Sequence, residues 1–493
     1  MRKSIVAAVA LALVAGCTAA TTEEGIETTN LTNDMPARLT RSLKITEVAA
    51  YQGLKTTIAK NGAAVAASLP ILAGRDAMVR VYVTPTSTAT SEPVTAVLEV
   101  ADDDGDVVTF SDTKTLSGAS VESDLATTFN FTVPGASLPA GAKFKVSLTS
   151  ASGTPLTGAA SDARFPKNGA RTDFGARTTA QKLRIVLVPI KYTFGGANFL
   201  PDTTPAQLDL QRRTFMQLYP LSDVEISMHA PFEFNQEIKS NGTGISALLR
   251  AMLTLRAQDG IANDVYYYGW FTTKATFQEY CAAGCVTGLS GLYGPDAVTG
   301  RASVGVGYTG ASSAMTMAHE IGHAHGRPHA PCGGAAGPDP AFPNPEGGIG
   351  AWGYAPSSQR LVDPATAKDL MGYCQPKWIS GYNYNKLLER LTYVNAQAAA
   401  APPPGSFAVK HPFQFVEVSP DGELSFGERI KLAEEPTGDD TRAVTFEDAN
   451  GKTISTGQAV FTPYDHVGGG YLLVPEDVEF SAVDIAGLGR ATR

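Results

Sequence analysis

Hydrophobic and polar residues alternate along much of the first third of the chain. MVRVYV (78–83), TFNFTV (128–133) and KFKVSL (143–148) show this two-residue period, and clusters of Gly, Pro and Asp separate them. A period of two is typical of strands with one buried face. Several short strands with regular turn signals predict an immunoglobulin-like β-sandwich over residues 43–165, although the Cys and Trp signature of antibody domains is missing.

From residue 183 onward, buried-strand patterns alternate with helical ones. LRIVLVPIKY (183–192) predicts a buried strand. A later helix that contains residues 319–323 is also predicted, with Ser312 or Ser313 as its N-cap and Gly326 at its end. The other predicted elements are helices at 204–218, 245–257 and 383–394 and strands at 224–228, 265–271 and 302–308. Alternation of this kind predicts a mixed sheet with helices packed on it. The Gly- and Pro-rich segment 333–358 predicts a loop.

The end of the chain returns to strand patterns. AQAAAAPPPG (396–405) predicts a linker, and FQFVEV (413–418) and YLLV (471–474) predict a small β-domain over 406–493. The 493 residues, 43% hydrophobic and 18% charged, suffice for several cores. The predicted fold class is therefore multidomain α+β, with a central domain at 182–395 between an N-terminal β-sandwich and a C-terminal β-domain.

The first residues predict export. Arg2 and Lys3 precede an apolar run that ends in VAGC at Cys17, and the run is too short for a membrane span of about 20 residues. VAGC resembles the lipobox of bacterial lipoproteins, which implies a signal peptide over 1–17, acylation of Cys17 and a tether over 18–42. The alternative is an ordinary cleavage site beside a cysteine. The expected location is the cell envelope or cell surface.

Charge limits the class of partner. The net charge of -9, without a long run of Lys or Arg, argues against nucleic acid and against anionic membrane surfaces as partners. The lipid anchor is then the expected link to the membrane.

The remaining cysteines fit an oxidising compartment. Without Cys17 there are four, an even number that predicts two disulfides. Three pairings are possible. We favour Cys281 with Cys285 and Cys332 with Cys374, because each pair belongs to one local region.

Four of the seven histidines lie in one segment, HEIGHAHGRPH (319–329). On a helix, His319 and His323 share a face and can reach one metal ion, and Gly326 lets the chain turn so that His329 can join them. Glu320 lies beside the first ligand. Three imidazoles with a fourth position left for water predict one catalytic zinc ion, with Glu320 as the general base.

The spacing HExxHxxGxxH resembles the zinc signature of the metzincin metallopeptidases, over about 182–395. DLMGYC (369–374) resembles the methionine turn of that clan, which implies that Met371 lies under the zinc. Tyr373 resembles the tyrosine of astacins and serralysins that binds zinc and swings away to stabilise the transition state. Ala330 differs from the residue that these families, matrixins and adamalysins carry after the third ligand, so no family within the clan is assigned.

The resemblance also implies that strand 302–308 is the sheet edge that binds an extended substrate, against the alternative of an interior strand. The predicted function is a surface-anchored zinc endopeptidase acting on proteins or peptides outside the cytoplasm. The alternatives are a binding or adhesion lipoprotein with an inactive or structural zinc domain, and zinc-dependent hydrolysis of another bond.

Several residues have open roles. Cys332, three residues after His329, could instead close the site as a fourth ligand. His325 is expected to point away from the ligands, as a supporting or surface residue, and Asp369 to orient a ligand or hold the turn. No role is assigned to the remaining histidines, which are His229, His411 and His466.

Overall fold

The computed structural model describes residues 38–86, 91–151, 154–155, 161–179, 181–400 and 410–493. The predicted signal peptide, Cys17 and the tether as far as residue 37 lie outside these ranges, as do residues 401–405 of the predicted linker. The described chain is multidomain and mostly β, with a few helices. None of its helices combines the length and the apolar character needed to cross a membrane.

Two sheets form the N-terminal sandwich, which we define as residues 38–179. Its buried side chains form one core, in which Val79 of the second sheet and Leu98 and Phe144 of the first are fully buried. The strands of the first sheet are Arg38–Leu39, Val94–Ala101, Val107–Lys114, Lys143–Thr149, Thr154–Pro155, Arg164–Phe165 and Thr172–Asp173. Those of the second are Leu43–Tyr51, Lys55–Lys60, Ala63–Ala64, Ala77–Pro85 and Phe129–Val133, and Ile71–Ala73 pairs separately with Ala176–Thr179. Strand structure thus already begins within the predicted tether.

The central domain (residues 181–400) contains a mixed sheet. Its strands are β1 (Gln181–Tyr192), β2 (Leu221–Met228), β3 (Phe232–Phe234), β4 (Val265–Phe271), β5 (Gly288–Ser290) and β6 (Ala302–Val306). The order is β2-β1-β4-β6-β5, with β3 also beside β1, and only β5 runs antiparallel to its neighbour. The expectation that strand 302–308 forms the edge is therefore wrong. β6 lies inside the sheet, and β5, a short segment without a clear apolar pattern, takes the edge.

Five α-helices pack around this sheet: α1 (Pro205–Leu218), α2 (Ile245–Asp259), α3 (Phe277–Tyr280), α4 (Ala311–Ala324) and α5 (Gly381–Ala400). Two short strand pairs follow α4: Gly353–Ala355 with Arg360–Val362, which is antiparallel, and Lys368–Asp369 with Lys377–Trp378, which is parallel. The predicted serine cap of α4 is wrong: Gly310 is the N-cap, and the Ser313 hydroxyl instead donates to the Tyr308 carbonyl at 2.6 Å. Helix α5 continues through residues 396–400, where the sequence predicted a linker.

The C-terminal β-domain (residues 410–493) is one antiparallel sheet. In spatial order its strands are Leu424–Leu432, His411–Val418, Gly470–Pro475, Thr453–Pro463, Thr441–Glu447, Ala482–Ile485 and Gly489–Thr492. Phe415, Tyr464 and Tyr471 belong to the same hydrophobic core as the central domain. The loop 464–469, between two neighbouring strands, is consequently held against the central domain.

Candidate metal centre

Helix α4 places two histidines and a glutamate together at its buried end. His319 and His323 lie one turn apart, with 3.0 Å between their Nε2 atoms and 4.6 Å between their ring centroids. Glu320 follows His319 and is fully buried. The four-residue spacing alone accounts for the shared face of the two imidazoles.

A glycine turn after α4 brings in the third histidine. Gly326 has φ of 74°, its N–H donates to the His323 carbonyl at 2.7 Å, and the Arg327 N–H donates to the Gly322 carbonyl at 3.0 Å. This is a Schellman ending, which favours glycine because of the left-handed backbone. His329 then lies with its ring centroid 4.5 Å from that of His323.

Each of these imidazoles is oriented by a backbone carbonyl that accepts from its Nδ1. The acceptors are Leu370 O for His319 at 2.8 Å, Arg327 O for His323 at 2.6 Å and Ala336 O for His329 at 2.6 Å. A proton on Nδ1 leaves the lone pair on Nε2, which is the ligand atom. The His329 Nε2 is buried and has no hydrogen-bond partner among the described residues. Three Nε2 lone pairs, of which that of His329 has no hydrogen-bond partner among the described residues, fit a bound cation.

A fourth histidine joins the cluster from the C-terminal β-domain. Four possible ligand atoms lie within 4.8 Å of one another, one from each of His319, His323, His329 and His466. The His466 Nε2 is 3.0 Å from Glu320 Oε1, and its Nδ1 is 2.5 Å from the Tyr373 hydroxyl. No role was predicted for His466, because neither periodicity nor spacing links it to a motif 137 residues away.

Asp465, beside His466, is the second residue that the sequence did not point to. It is buried, with Oδ2 3.3 Å from His323 Nε2, and both carboxyl oxygens accept from the Ser290 N–H of strand β5 at 3.2 Å. Glu320, His323, Asp465 and His466 form a second overlapping group of ligand atoms within 4.8 Å. The loop therefore contacts both the metal-binding face and the sheet edge.

Burial sets the protonation states in the cluster. It lowers the pKa of His319 and His323 well below the usual value and that of His329 to about 4, so the imidazoles are neutral and able to bind a metal. Burial likewise raises the pKa of Glu320 to about 8 and that of Asp465 well above its usual range. The amine of Lys377, itself with a pKa lowered by burial, is close enough to act on Glu320.

The segment 369–373 lies directly beneath α4. Met371 is fully buried, and a Cβ on Gly322 would come within 2.6 Å of its sulfur, so the glycine inside HEIGH makes room for the methionine. Asp369 accepts from the Met371 N–H at 2.7 Å and thus holds the turn. Tyr373 is 38% exposed, and its ring centroid lies 4.9 Å from that of His329.

The four described cysteines are paired as Cys281 with Cys285 and Cys332 with Cys374. Because its sulfur is in a disulfide bond, Cys332 is not a fourth ligand in this structure. The second bond joins the segment after His329 to the end of the methionine-containing turn.

We expect Cys332→Ala and Cys374→Ala to lower the free energy of unfolding equally, by about 2–4 kcal/mol, because each opens the same loop of about 40 residues. Urea denaturation measures the loss, and the double variant should lose no more than either single one. A metal content that falls in Cys332→Ala but not in Cys374→Ala would instead show that Cys332 binds the metal.

His325 takes no part in the cluster. It is buried, its Nδ1 faces the Ile321 carbonyl at 2.7 Å, and its ring stacks on that of Tyr266 with 4.5 Å between centroids. The surface alternative for this residue is therefore wrong. Of the other histidines without a predicted role, His229 and His411 lie outside both groups of ligand atoms.

The family model for Peptidase M66 matches residues 178–414 of this chain, just under half of its length. This region includes α4, His329 and the turn under them, and the match supports a metallopeptidase. No curated protein matches the chain. A solved structure of β-glucuronidase 2 from Bacteroides uniformis, covalently bound to cyclophellitol-6-carboxylate aziridine, is 11% identical, with a TM-score of 0.12, over 49% of this chain and 25% of that one. The chain spans about a quarter of that protein, and so weak a likeness supports no functional conclusion.

Proposed function

We propose that this protein is a zinc endopeptidase of metzincin type, exported and anchored to the cell surface by a lipid on Cys17. The observation that carries the proposal is the set of three imidazoles whose Nδ1 atoms all face carbonyl oxygens, with the carboxyl of Glu320 beside them. The Peptidase M66 match over the same region supports the reaction class.

The donor set fits zinc. Neutral imidazole is a preferred zinc ligand, and two nitrogens on a tetrahedral zinc lie about 3.3 Å apart, close to the observed 3.0 Å between His319 and His323. Bound zinc would supply a Lewis acid that polarises the peptide carbonyl and lowers the pKa of a water molecule to about 7.

Glu320 is placed to move the proton. It is the buried carboxyl adjacent to His319, and in its charged form it accepts a proton from the attacking water and passes it to the leaving nitrogen. The positive charge of Lys377 favours that charged form of Glu320, against the effect of burial. Tyr373 is the proposed donor to the developing oxyanion, because its hydroxyl already reaches into the cluster at His466.

The substrate is a protein or peptide in extended form. Strand β5 is the edge of the central sheet and leads past Glu320: a Cβ on Gly288 would come within 2.5 Å of Glu320 Oε1. An extended peptide paired with this edge would lie across the site.

Export and anchoring rest on separate observations. VAGC ends at Cys17, and both remaining cysteine pairs are bonded, as suits an oxidising compartment outside the cytoplasm.

Removal of the metal tests the function. We expect purified protein to contain one zinc per chain, to lose all cleavage of a denatured protein substrate when a chelator removes the zinc, and to recover it with one equivalent of zinc. Metal analysis and product mass spectrometry are the measurements. One zinc per chain without cleavage of any of several protein substrates would favour the alternative of a binding lipoprotein with a structural zinc.

A further inference from the structure

The loop 464–469 of the C-terminal β-domain enters the candidate metal centre. Its His466 side chain is only 11% exposed and lies among residues of the central domain, with ring centroids 5.2 Å from His319 and 4.9 Å from His329. The Peptidase M66 match ends at residue 414, before this loop. The loop therefore lies outside the matched region and reaches the site from the C-terminal β-domain.

His466 is oriented as the three motif histidines are. Its Nδ1 faces an oxygen, that of Tyr373 at 2.5 Å, and its Nε2 lies with the other ligand atoms inside a 4.8 Å group. With the proton on Nδ1 donated to Tyr373, the Nε2 of His466 carries a lone pair that can bind the same ion as His319, His323 and His329. Four imidazoles on one zinc ion would be a complete tetrahedral set.

The loop is also fixed on the sheet edge. Ser290 of β5 donates its N–H to the Asp465 carboxyl at 3.2 Å, the Leu292 N–H donates to the Pro463 carbonyl at 3.3 Å, and Gly291 forms a β-bridge with Tyr464. The contacts of Leu292 and Gly291 are backbone pairing of the kind that an extended substrate would make with an edge strand. Loop 464–469 thus covers part of the sheet edge at β5, where the substrate is proposed to pair, and also the fourth coordination position of the proposed zinc.

We propose that His466 is a fourth protein ligand of the metal, donated by the C-terminal β-domain, and that it closes the site until loop 464–469 moves away. This rests on the proposed zinc site. A site with four protein ligands has no position for water, whereas three ligands leave one open. The wild-type activity is then that of the minor open form, and a loop that closes nine molecules in ten lowers the apparent activity about tenfold.

The competing role for His466 is as a positioning residue. Its Nε2 lies 3.0 Å from Glu320 Oε1, so with the proton on Nε2 it would donate to the general base and orient it. The two roles predict opposite effects. Loss of a positioning residue lowers kcat, whereas loss of a closing ligand raises kcat/KM.

The experiment compares full-length wild type with His466→Ala, using His411→Ala as the control, since His411 is an exposed histidine on a strand of the same domain. Zinc X-ray absorption counts the imidazoles, competition with a chromogenic chelator gives the zinc dissociation constant, and a peptide-library assay gives kcat/KM. Circular dichroism and the unfolding midpoint show whether the variant has folded.

We expect four imidazoles in wild type and three in His466→Ala, and both the zinc dissociation constant and kcat/KM raised by up to about tenfold, because the same nine-to-one closure sets both changes. His411→Ala should match wild type. Three imidazoles in both proteins, or unchanged zinc affinity with lower kcat, would overturn the proposal. Four imidazoles falling to three, with neither protein cleaving any peptide, would support the ligand assignment and overturn the peptidase function instead.

Discussion

Glu320→Gln should lower kcat/KM for peptide hydrolysis by about 10²–10⁴-fold while one zinc per chain is retained. Glutamine keeps the shape of the side chain but accepts no proton at neutral pH. Glu320 is not one of the three imidazoles that are proposed to bind the zinc, so zinc binding should be nearly unchanged in the variant. Steady-state kinetics and metal analysis on the same preparation are the two measurements.

The matched control is Glu389→Gln, since Glu389 is exposed on helix α5 and pairs with Lys386 at 3.0 Å. This change should leave kcat/KM as in wild type. If Glu320→Gln retained activity within about threefold of wild type, Glu320 would not be the general base, and the proton transfer would have to be assigned to another group of the cluster.

The metal-binding face of α4 could be predicted because its geometry is local. His319, His323 and the turn at Gly326 are fixed by helix periodicity and by one left-handed residue, so a spacing in the sequence translates directly into a distance. Strands β1 and β4 could also be predicted from the sequence, since both are continuous apolar runs buried inside the sheet.

The residues that the sequence did not reveal come from distant segments. Asp465 and His466 reach the site through a hairpin of another domain, whose position depends on side chains such as Tyr464 packed into the shared core. No periodicity within a segment encodes such a docking. Loop 464–469 is a turn that contains Gly468 and Gly469, both with positive φ, and a histidine in a turn is weak evidence of a ligand.

The error at the sheet edge has a similar cause. The expectation that β6 is the edge came from the family resemblance, and the apolar pattern of β6, ASVGV, could not correct it, because such a pattern reports burial and not lateral position in a sheet. Strand β5 has only three residues. It pairs with β6, and Gly291, directly after it, forms a β-bridge with Tyr464 of the C-terminal hairpin. Pairing between segments decides which strand lies outside.

Asp369→Ala should lower the free energy of unfolding by about 4–5 kcal/mol and raise the zinc dissociation constant about 10–100-fold. The carboxyl is fully buried and accepts from the Met371 N–H, the Ser380 N–H and the Asn383 amide at 2.7, 2.8 and 2.7 Å. Alanine leaves these three buried donors unpaired, at about 1–3 kcal/mol each with imperfect additivity. The turn also carries the Leu370 carbonyl that orients His319, so metal affinity falls with stability.

Asp369→Asn separates packing from hydrogen bonding. Its oxygen can still accept from Met371 and Asn383, whereas its amide group would face the Ser380 N–H, donor against donor, so we expect an intermediate loss of about 2–3 kcal/mol. Asp363→Ala is the control, because Asp363 accepts the Ala365 N–H at 2.8 Å in an exposed turn of the same segment and should lose under about 1 kcal/mol. Urea denaturation of apo and zinc-loaded protein gives both quantities. Equal losses in the Asp369 and Asp363 variants would show that the buried carboxyl does not hold the turn under the metal centre.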